Sequence, residues 1–387
     1  MKTFFDLLKR EFRMFWNNNV LRILFIGAPI MYGVLLGYVY SKGKVTDLPI
    51  IVVDRDQSKM SKRAVEMMDD NEVLSIAALK FDENDLSRLM IEKDAASVVI
   101  IPEGFEKQVL TKKYPEITTI VNTANVLTAN YASTAIQVVL GTLKAGVQLE
   151  TLRKQGVPES LVLSQYEPFK TTFIKKNNRS TNYMYFLWPG ILLTVLQQVL
   201  MLGLALSFAS EFESGTFKDL VQRSPSTLKL LLVKILPYLI MSIGIWLLYW
   251  AFTWWFNIPF YQNLGVLTLT AGLFVLSVCF IGVLVSIMIP NQLKATEVLM
   301  VVATPSFILS GFTWPLSQMP EWIQYISSVI PLTHYLPIFR ILMIENGPVD
   351  LTYPYIYKLL LITVIGFVLS FVALYMKKRK VLQPIKK

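Results

Sequence analysis

The sequence predicts an α-helical polytopic membrane protein with six transmembrane helices and an α/β extracytoplasmic domain inserted between the first and the second. Three observations predict this fold class. Of the 387 residues, 53% are hydrophobic and only 17% are charged, whereas soluble domains carry about 25% charged residues. Several apolar runs reach about 20 residues, the length that crosses a bilayer. Between the first two runs, residues 41–182 alternate short strand-like and helix-like patterns.

The amino-terminal segment, residues 1–18, predicts an amphipathic helix that lies in the headgroup layer. In "MKTFFDLLKREFRMFW" the apolar side chains recur every three or four residues, and Lys9, Arg10 and Arg13 lie largely off their face. The apolar positions are Phe4, Leu7, Leu8, Phe12, Phe15 and Trp16. A continuous cytoplasmic extension of the first span is the alternative.

Six apolar runs predict the membrane spans. They cover about 22–40, 183–209, 235–256, 264–289, 297–316 and 355–376, so that residues 183–376 form a five-helix transmembrane region. The first run is long, rich in aromatic residues and followed by lysines, which indicates a retained anchor rather than a cleaved signal peptide. Lys229 and Lys234 interrupt the start of the third run, and we expect both ammonium groups to reach the interface.

The basic residues predict the orientation. The amino terminus, the loop at 210–229 and the tail at 377–387 are rich in Lys and Arg, whereas the loop at 257–263 has no charge. Cytoplasmic segments carry the basic excess, so both termini and the loop at 210–229 are expected in the cytoplasm. Residues 41–182 then lie outside, because long domains cross regardless of their charge.

The extracytoplasmic domain is predicted to be α/β. "LPIIVVD", "EVLSIAAL", "AASVVIIP" and "EITTIVN" predict strands separated by short helices, 125–155 predicts one long helix, and "FKTTFIKK" at 169–176 predicts a last strand. Its carboxylates show no metal or nucleophile spacing and indicate a solvated α/β surface with caps and turns rather than a catalytic pair. The carboxylates considered are Asp54, Asp56, Asp82 and Glu103.

The composition narrows the function classes. Residues 41–182 hold 19 Lys and Arg and 18 Asp and Glu, a net charge of +1, so +9 of the total net charge of +10 belongs to the membrane part. This distribution indicates lipid contact rather than nucleic-acid binding. Cys279 and His334 are the only residues of their types, which predicts no internal disulfide and no usual zinc site. No G-x-x-x-x-G-K-[ST] motif occurs. We therefore expect no cofactor on this chain and no enzymatic activity.

The spans themselves hold few ionisable residues. Arg22, Lys234, Glu297 and Lys358 all lie near predicted ends. Proton- and ion-driven carriers usually place such groups within the membrane. The sequence therefore disfavours a carrier driven by protons or ions.

If the spans line a transport pathway, the candidate lining residues carry amide or aromatic side chains. Such a lining suits hydrophobic or amphipathic cargo. The candidate residues are Gln197, Gln198, Phe307 and Phe312. Hydrogen bonding between helices is the alternative role of the two glutamines. Gly33 and Gly37 form a small-xxx-small pair, which makes them candidate dimer contacts.

A short polar segment at 210–227, "SEFESGTFKDLVQRSP", separates the second and third runs. Ser210 or Ser214 is expected to cap a short amphipathic helix, with Glu213 near its positive end. Ser224-Pro225 is expected to end it. The apolar positions of this helix are Phe217, Leu220 and Val221. The segment predicts a compact docking surface for a cytoplasmic partner.

This segment resembles the first cytoplasmic loop of type-2 ABC exporter permeases, because Glu211, Glu213, Gly215 and Thr216 match their E-x-E-x-G-T pattern. "SGFTWPLSQMPEWIQYISSVIPLTHYLPIFRILMIENG" resembles the family's segment after the fifth span. "VVDRDQS", "VVIIPEGFEKQV" and "VNTANVLTANYA" resemble its drug-exporter branch with a large extracytoplasmic domain.

The resemblance implies a permease subunit that pairs with an identical or homologous permease and with two separately encoded cytoplasmic ATPase subunits, which bind ATP and Mg. It implies short helices at 319–345 that dip into the outer leaflet. It also implies that coupling to the ATPase is carried by Glu211, Glu213, Gly215, Thr216, Phe217 and Leu220. The resemblance leaves open whether a periplasmic adaptor protein is also a partner. The alternative is a membrane-anchored extracytoplasmic binding or sensing protein, and a membrane enzyme comes third.

Overall fold

The computed structural model describes residues 2–167, 169, 171–172, 174–224, 226–258 and 263–382. The chain divides into two compact units. The helical unit comprises Met1–Gly43 and Lys175–Lys387, and the α/β unit comprises Lys44–Ile174. The α/β unit therefore lies within the predicted domain boundaries of 41 and 182.

The chain begins with two helices separated by one extended residue. They are α1, Lys2–Asn17, and α2, Asn19–Arg22, and after a π-helical turn at Ile23–Gly27 comes α3, Ala28–Val39. Asn18 has φ −91° and ψ 102°, and its side chain accepts a hydrogen bond of 3.2 Å from the Leu21 amide, which starts α2. Because of this break, α1 is a separate amphipathic helix and not a continuous extension of the next one.

The α/β unit contains a four-stranded sheet. Its strands are β1 Leu48–Asp54, β2 Leu74–Lys80, β3 Ser97–Ile101 and β4 Thr118–Val121, in the order β2-β1-β3-β4. β1 is parallel to β2 and β3, and β4 is antiparallel to β3. The central strand β1 is rich in β-branched residues and is buried almost throughout, as expected for a strand covered on both faces.

Within the described part of the α/β unit, five helices accompany the sheet. They are α4 Lys59–Asp69, α5 Leu86–Glu92, α6 Phe105–Leu110, α7 Val126–Lys154 and α8 Glu159–Tyr166. The sequence did not predict α8. The strand predicted at 169–176 is wrong for the residues of that segment that the structure describes, since none of them is in a strand, and Lys170 and Phe173 lie outside the described residues.

All four carboxylates considered above have partners: Asp82 accepts a hydrogen bond from the Asn84 amide, Glu103 lies 3.9 Å from Arg55, and the contacts of Asp54 and Asp56 are more extensive. Asp54 is 3% exposed, and its Oδ1 accepts hydrogen bonds from the amides of Asp56 and Gln57 at 3.1 and 2.9 Å. Its Oδ2 accepts a bond of 2.8 Å from the Ser61 hydroxyl. Asp56 accepts a bond of 3.0 Å from the Glu106 amide. Asp54 and Asp56 hold the turn that follows β1 and the start of α6.

Nine further helices complete the described part of the helical unit. They are α9 Tyr183–Glu213, α10 Phe217–Arg223, α11 Thr227–Trp255, α12 Leu264–Met288, α13 Gln292–Ala303, α14 Ser306–Leu309, α15 Glu321–Ser328, α16 Pro331–Phe339 and α17 Tyr353–Leu382. At several points where two helices cross, a side chain of one helix donates a hydrogen bond to a backbone carbonyl of the other. Trp188 Nε1 on α9 donates to the carbonyl of Gly33 at 3.0 Å, and Tyr238 Oη on α11 donates to that of Gly203 at 2.9 Å.

Seven helices among the described residues are long and apolar enough to span a membrane. Six of them overlap the six predicted runs. The seventh is α7, which belongs to the α/β unit. In addition, α15 and the stretch Pro331–Ile344 form a pair bent by 85°. This bend lies within residues 319–345, where short, broken helices were predicted.

Two helix boundaries differ from the prediction in ways that matter. The helix predicted at 183–209 continues to Glu213, so both acids of the polar segment stand on α9. The run predicted at 297–316 is interrupted, because α13 ends at Ala303 and Pro305 precedes α14. Proline has no amide hydrogen to continue the helical hydrogen bonds.

Candidate coupling site at the end of α9

A buried carboxylate on α9 is the centre of the site. Glu211 is 0% exposed. Its Oε1 accepts hydrogen bonds from Lys234 Nζ at 2.8 Å and from Arg10 Nη1 at 2.7 Å. Its Oε2 accepts bonds from Arg10 Nη2 at 3.0 Å and from the Thr216 hydroxyl. One carboxylate thus joins α1, α9 and α11 to the turn before α10.

The charges around Glu211 balance. Lys234 Nζ also contacts Glu11 Oε2 at 2.9 Å, and Arg10 contacts Glu11 at 3.1 Å. We call Arg10, Glu11, Glu211 and Lys234 the ion cluster. It contains two acids and two bases, which is the condition under which buried charges are tolerated. The hydrogen bond to Glu211 raises the pKa of Arg10 above its ordinary value, so the guanidinium stays charged.

Lys234 is buried within the helical unit and is not a free side chain at its surface. Its side chain is 1% exposed. Its Nζ lies among carboxylates, 5.6 Å from the ring centroid of Phe208. The sequence did not identify Arg10, Glu11 and Lys234 as parts of one site, because Lys234 is 223 residues away from Glu11 in the chain.

A glycine turn brings Thr216 back to Glu211. Gly215 has φ +74°, in the left-handed region, and its amide bonds to the carbonyl of Phe212 at 3.3 Å. Glycine is the usual residue at this place after a helix. A Cβ atom at Gly215 would meet nothing within 4 Å, so the backbone conformation alone requires glycine.

The short helix α10 has one buried and one exposed face. Phe217, Leu220 and Val221 are 2–4% exposed and belong to the core of the helical unit. The Phe217 ring centroid lies 4.5 Å from that of Phe212. The exposed face consists of Lys218, Asp219, Gln222 and Arg223. Of the predicted coupling residues, Glu211, Phe217 and Leu220 therefore lie behind the surface and not on it.

The predicted capping of α10 is wrong. Ser214 Oγ bonds to the Ser210 carbonyl at 2.6 Å, and the residue at the capping position, Thr216, makes no capping hydrogen bond. Ser224 at the other end is extended, with φ −141° and ψ 107°, as is usual before proline. Pro225 lies outside the described residues.

Glu213 was predicted to lie near the positive end of α10, but its side chain is bonded at the start of α13. It accepts hydrogen bonds from the Gln292 amide at 3.1 Å, from Gln292 Nε2 at 2.9 Å and from Asn291 Nδ2 at 3.4 Å. These groups stand at the amino terminus of α13, where the helix dipole favours an anion. The two acids of the motif thus have separate roles: Glu211 joins α9 to α1 and α11, and Glu213 joins it to α13.

The four predicted pathway residues have different surroundings. Gln197 is 0% exposed, and neither its Nε2 nor its Oε1 has a hydrogen-bond partner in the described structure. Gln198 is partly buried. Phe307 and Phe312 do come together, with ring centroids 5.8 Å apart. Arg340 lies over Phe312, 4.9 Å from its centroid, and donates to its carbonyl at 2.9 Å.

The largest cavity described in the helical unit lies elsewhere. It measures about 470 Å³ and lies between α9, α11 and α12, with Tyr335 of α16 also in its wall. The Tyr335 ring stacks on Phe274 at 4.8 Å, and its hydroxyl has no partner among the described residues. None of the four predicted pathway residues lines this cavity.

Gly33 and Gly37 are covered by the chain itself, which corrects their assignment as dimer contacts. A Cβ atom at Gly33 would overlap the ring of Phe252, and one at Gly37 would overlap the ring of Phe256. The close approach that small residues permit is present, but it is intramolecular.

Residues 20–375 match the sequence model of the ABC-2 family transporter proteins. The match covers most of the chain, which therefore belongs to this family and is a multi-pass membrane permease of the ABC-2 type. Among similar proteins is the probable multidrug ABC transporter permease YbhR of Escherichia coli K12, 22% identical over 366 residues, 92% of this chain and 94% of that protein. YbhS of the same organism, a probable multidrug ABC transporter permease, is 31% identical over 173 residues, 43% of this chain and 45% of that protein. The inner membrane transport permease YhhJ, also from this strain, is 20% identical over 362 residues, 92% of each chain.

Proposed function

We propose that this chain is the membrane-spanning subunit of an ABC exporter that moves a lipophilic or amphipathic compound out of a bacterial cell. ATP hydrolysis on a separate cytoplasmic subunit drives the transport, and a second permease completes the pore. Family membership supports the ATPase partnership. The names of the relatives, two probable multidrug permeases and one inner membrane permease, support the cargo class and the location. A sensing protein anchored in the membrane is not favoured by this family.

The proposed topology has six spans, both termini in the cytoplasm, and residues 41–182 outside. The seventh apolar helix, α7, is assigned to the extracytoplasmic domain, because Ala132 and Ile136 are buried in the core of the α/β unit beside Val52 and Val99. The bent pair at 321–344 is assigned to short helices in the outer leaflet, since an 85° bend is too sharp for a straight span.

One observation carries the proposed coupling: Glu211 is bonded at once to Arg10, Lys234 and Thr216. A displacement of α10 by the ATPase moves Thr216 at the start of this helix. The hydrogen bonds of the Glu211 carboxylate then transmit the movement to α1 and α11. Phe217 and Leu220 fix the same helix to the core by packing. Buried, fully paired charges are rigid connections, because separating them leaves an uncompensated charge.

The exposed face of α10 is the proposed contact with the ATPase. Lys218, Asp219, Gln222 and Arg223 share that face and have no ion-pair partner of their own within the described residues. Glu213 fixes α9 to the start of α13 on the same side of the loop. Gly215 permits the turn between the two helices. The residues that touch the partner are thus distinct from those that transmit its movement.

Co-purification tests this proposal. The chain is purified in mild detergent from its native cells, and the proteins that accompany it are identified by mass spectrometry. We expect an ABC ATPase, with recovery lowered by Lys218→Glu and Arg223→Glu but not by the matched changes Lys380→Glu and Arg379→Glu on α17. If no ATPase accompanies the chain, or if all four variants retain it equally, the proposed contact is wrong.

A further inference from the structure

The α/β unit contains a groove that the proposed transport function does not use. Its volume is about 540 Å³, within the range of small-molecule sites, roughly 300–1,000 Å³. One wall is formed by α6 and the loop after it, and the other by the carboxyl-terminal half of α7. The floor is apolar and includes Phe105, Val109, Ile117, Leu140, Leu143 and Val147.

The wall formed by α7 is an apolar stripe that the rest of the α/β unit covers only in part. Ile136 is 2% exposed and packs in the core of the α/β unit. Leu140, Leu143 and Val147 continue the same stripe at spacings of four, three and four, but they are only partly buried. A helix that leaves its apolar face half covered in this way offers contact area to another apolar group.

The rim of the groove is cationic. Lys112, Lys113 and Lys144 line it, and none of the described lining residues is acidic. None of the three has a carboxylate within 4.0 Å among the described residues. Since residues 41–182 are nearly neutral as a whole, with 19 bases and 18 acids, this grouping is local. It is complementary to a negative headgroup.

The backbone holds one of these lysines in an unfavourable conformation. Lys112 has φ 56° directly after the last residue of the α6 turn, and its amide bonds to the carbonyl of Val109 at 3.0 Å. The next amide, of Lys113, bonds to Gln108 at 2.8 Å. Glycine or asparagine is usual at such a helix end, and a lysine there costs conformational energy. The position thus carries a cation where backbone stability favours glycine.

We propose that this groove binds a free anionic amphiphile, a single alkyl chain that ends in a carboxylate or a phosphate. The chain lies on the apolar floor, and the headgroup contacts Lys112, Lys113 and Lys144. The apolar lining selects against the surface of an intact bilayer, which presents headgroups and not chains. The proposal goes beyond the transport function and does not depend on it, since binding requires neither ATP nor a second subunit.

Photolabelling tests the site. The full chain, in nanodiscs of phosphatidylcholine, is illuminated with a hexadecanoic acid that bears a diazirine on its alkyl chain, and the labelled peptides are identified by mass spectrometry. We expect labelling at 105–117 and 140–151. Unlabelled hexadecanoate should compete, whereas hexadecyltrimethylammonium should not. Nanodiscs that contain phosphatidylglycerol should leave the labelling unchanged, because the expected ligand is a free amphiphile and not a bilayer lipid.

Charge reversal identifies the role of the lysines. The triple variant Lys112→Glu, Lys113→Glu and Lys144→Glu should lose about tenfold in apparent affinity, since each contact is exposed and individually weak. The matched triple variant Lys59→Glu, Lys62→Glu and Lys93→Glu has the same net charge and should bind as the unchanged chain does. Lys112→Gly should raise the melting temperature while it lowers labelling, a combination that misfolding cannot produce.

Three results would overturn the proposal. The first is equal competition by the cationic amphiphile, which would make the groove merely apolar. The second is loss of labelling when phosphatidylglycerol is added, which would make bilayer lipid the ligand. The third is a co-purifying protein that shields 105–117 and 140–151, which would make the groove a protein interface. Failure of the ATPase co-purification with intact labelling would reject the transport proposal alone.

Discussion

Glu211 and Lys234 form an ion pair of 2.8 Å in which the side chains are 0% and 1% exposed. The pair joins the last turns of α9 to the first turns of α11. Arg10 and Glu11 of α1 complete its charge balance. An amphipathic helix at the start of the chain, which sequence alone assigns to the membrane surface, is thereby part of the site at which the ATPase is proposed to act.

Removing the central carboxylate should weaken the helical unit strongly. In Glu211→Gln the shape is kept, but Lys234 and Arg10 face only Glu11. Loss of one partner of a buried pair costs about 3–5 kcal/mol, so we expect a clearly lower melting temperature for the purified protein. Glu213→Gln provides the control, because Glu213 is exposed and loses only a helix-end contact of about 0.3–1 kcal/mol.

An exchange of charges separates pairing from packing. Glu211→Lys combined with Lys234→Glu restores one acid and one base at the same two positions, so it should recover part of the melting temperature that Glu211→Lys alone loses. Equal melting temperatures for Glu211→Gln and the unchanged chain would show that the ion cluster does not hold these helices together.

Gly33 should not tolerate a side chain. The ring of Phe252 occupies the space that a Cβ atom would need, and overpacking costs about 1–3 kcal/mol. Gly33→Ala should therefore lower the melting temperature, and Phe252→Leu should restore part of it. Gly244→Ala is the matched control, since a Cβ atom there meets nothing within 4 Å. If Gly33→Ala left the melting temperature unchanged and altered only the oligomeric state, Gly33 would face a second copy of the chain, as a dimer contact requires.

Gln197 offers a test of the pathway prediction. Both of its side-chain polar atoms are buried without a partner in the described structure. Leaving such groups unpaired costs about 1–3 kcal/mol, so Gln197→Leu should raise the melting temperature in detergent. If the amide meets cargo during transport, the same variant should lower export. A lower melting temperature would mean that the amide has a partner that stabilises the resting chain.

Much of the architecture could be predicted from sequence because its signals are local. The apolar runs gave approximate helix positions, and the alternation of β-branched residues gave the four strands near 48–121. Pro305 explains why the run at 297–316 is not one helix, and a proline in an apolar run is a signal that could have been used. The strand expected at 169–176 was wrong for the described residues of that segment, because a short alternation without a neighbouring strand is weak evidence.

The composition of the coupling site could not be predicted in the same way. The motif at 211–216 gave the location, but the partners of Glu211 lie 201 and 23 residues away. A lone lysine near the start of an apolar run indicates either a side chain that reaches the interface or one that is paired inside. Only tertiary structure distinguishes the two for Lys234. The roles of Glu211 and Glu213 likewise differ because their side chains meet different helices.

The central claim is that α10 faces the cytoplasm and is covered there by an ATPase. The chain has a single cysteine, Cys279, which is buried, so Cys279→Ala with Gln222→Cys gives a reporter on the exposed face of α10. The measurement is labelling by a membrane-impermeant maleimide, in intact cells or spheroplasts and in inside-out vesicles with and without the ATPase. We predict labelling only in inside-out vesicles, with protection by the bound ATPase. Labelling from the outer side of intact cells would contradict the account.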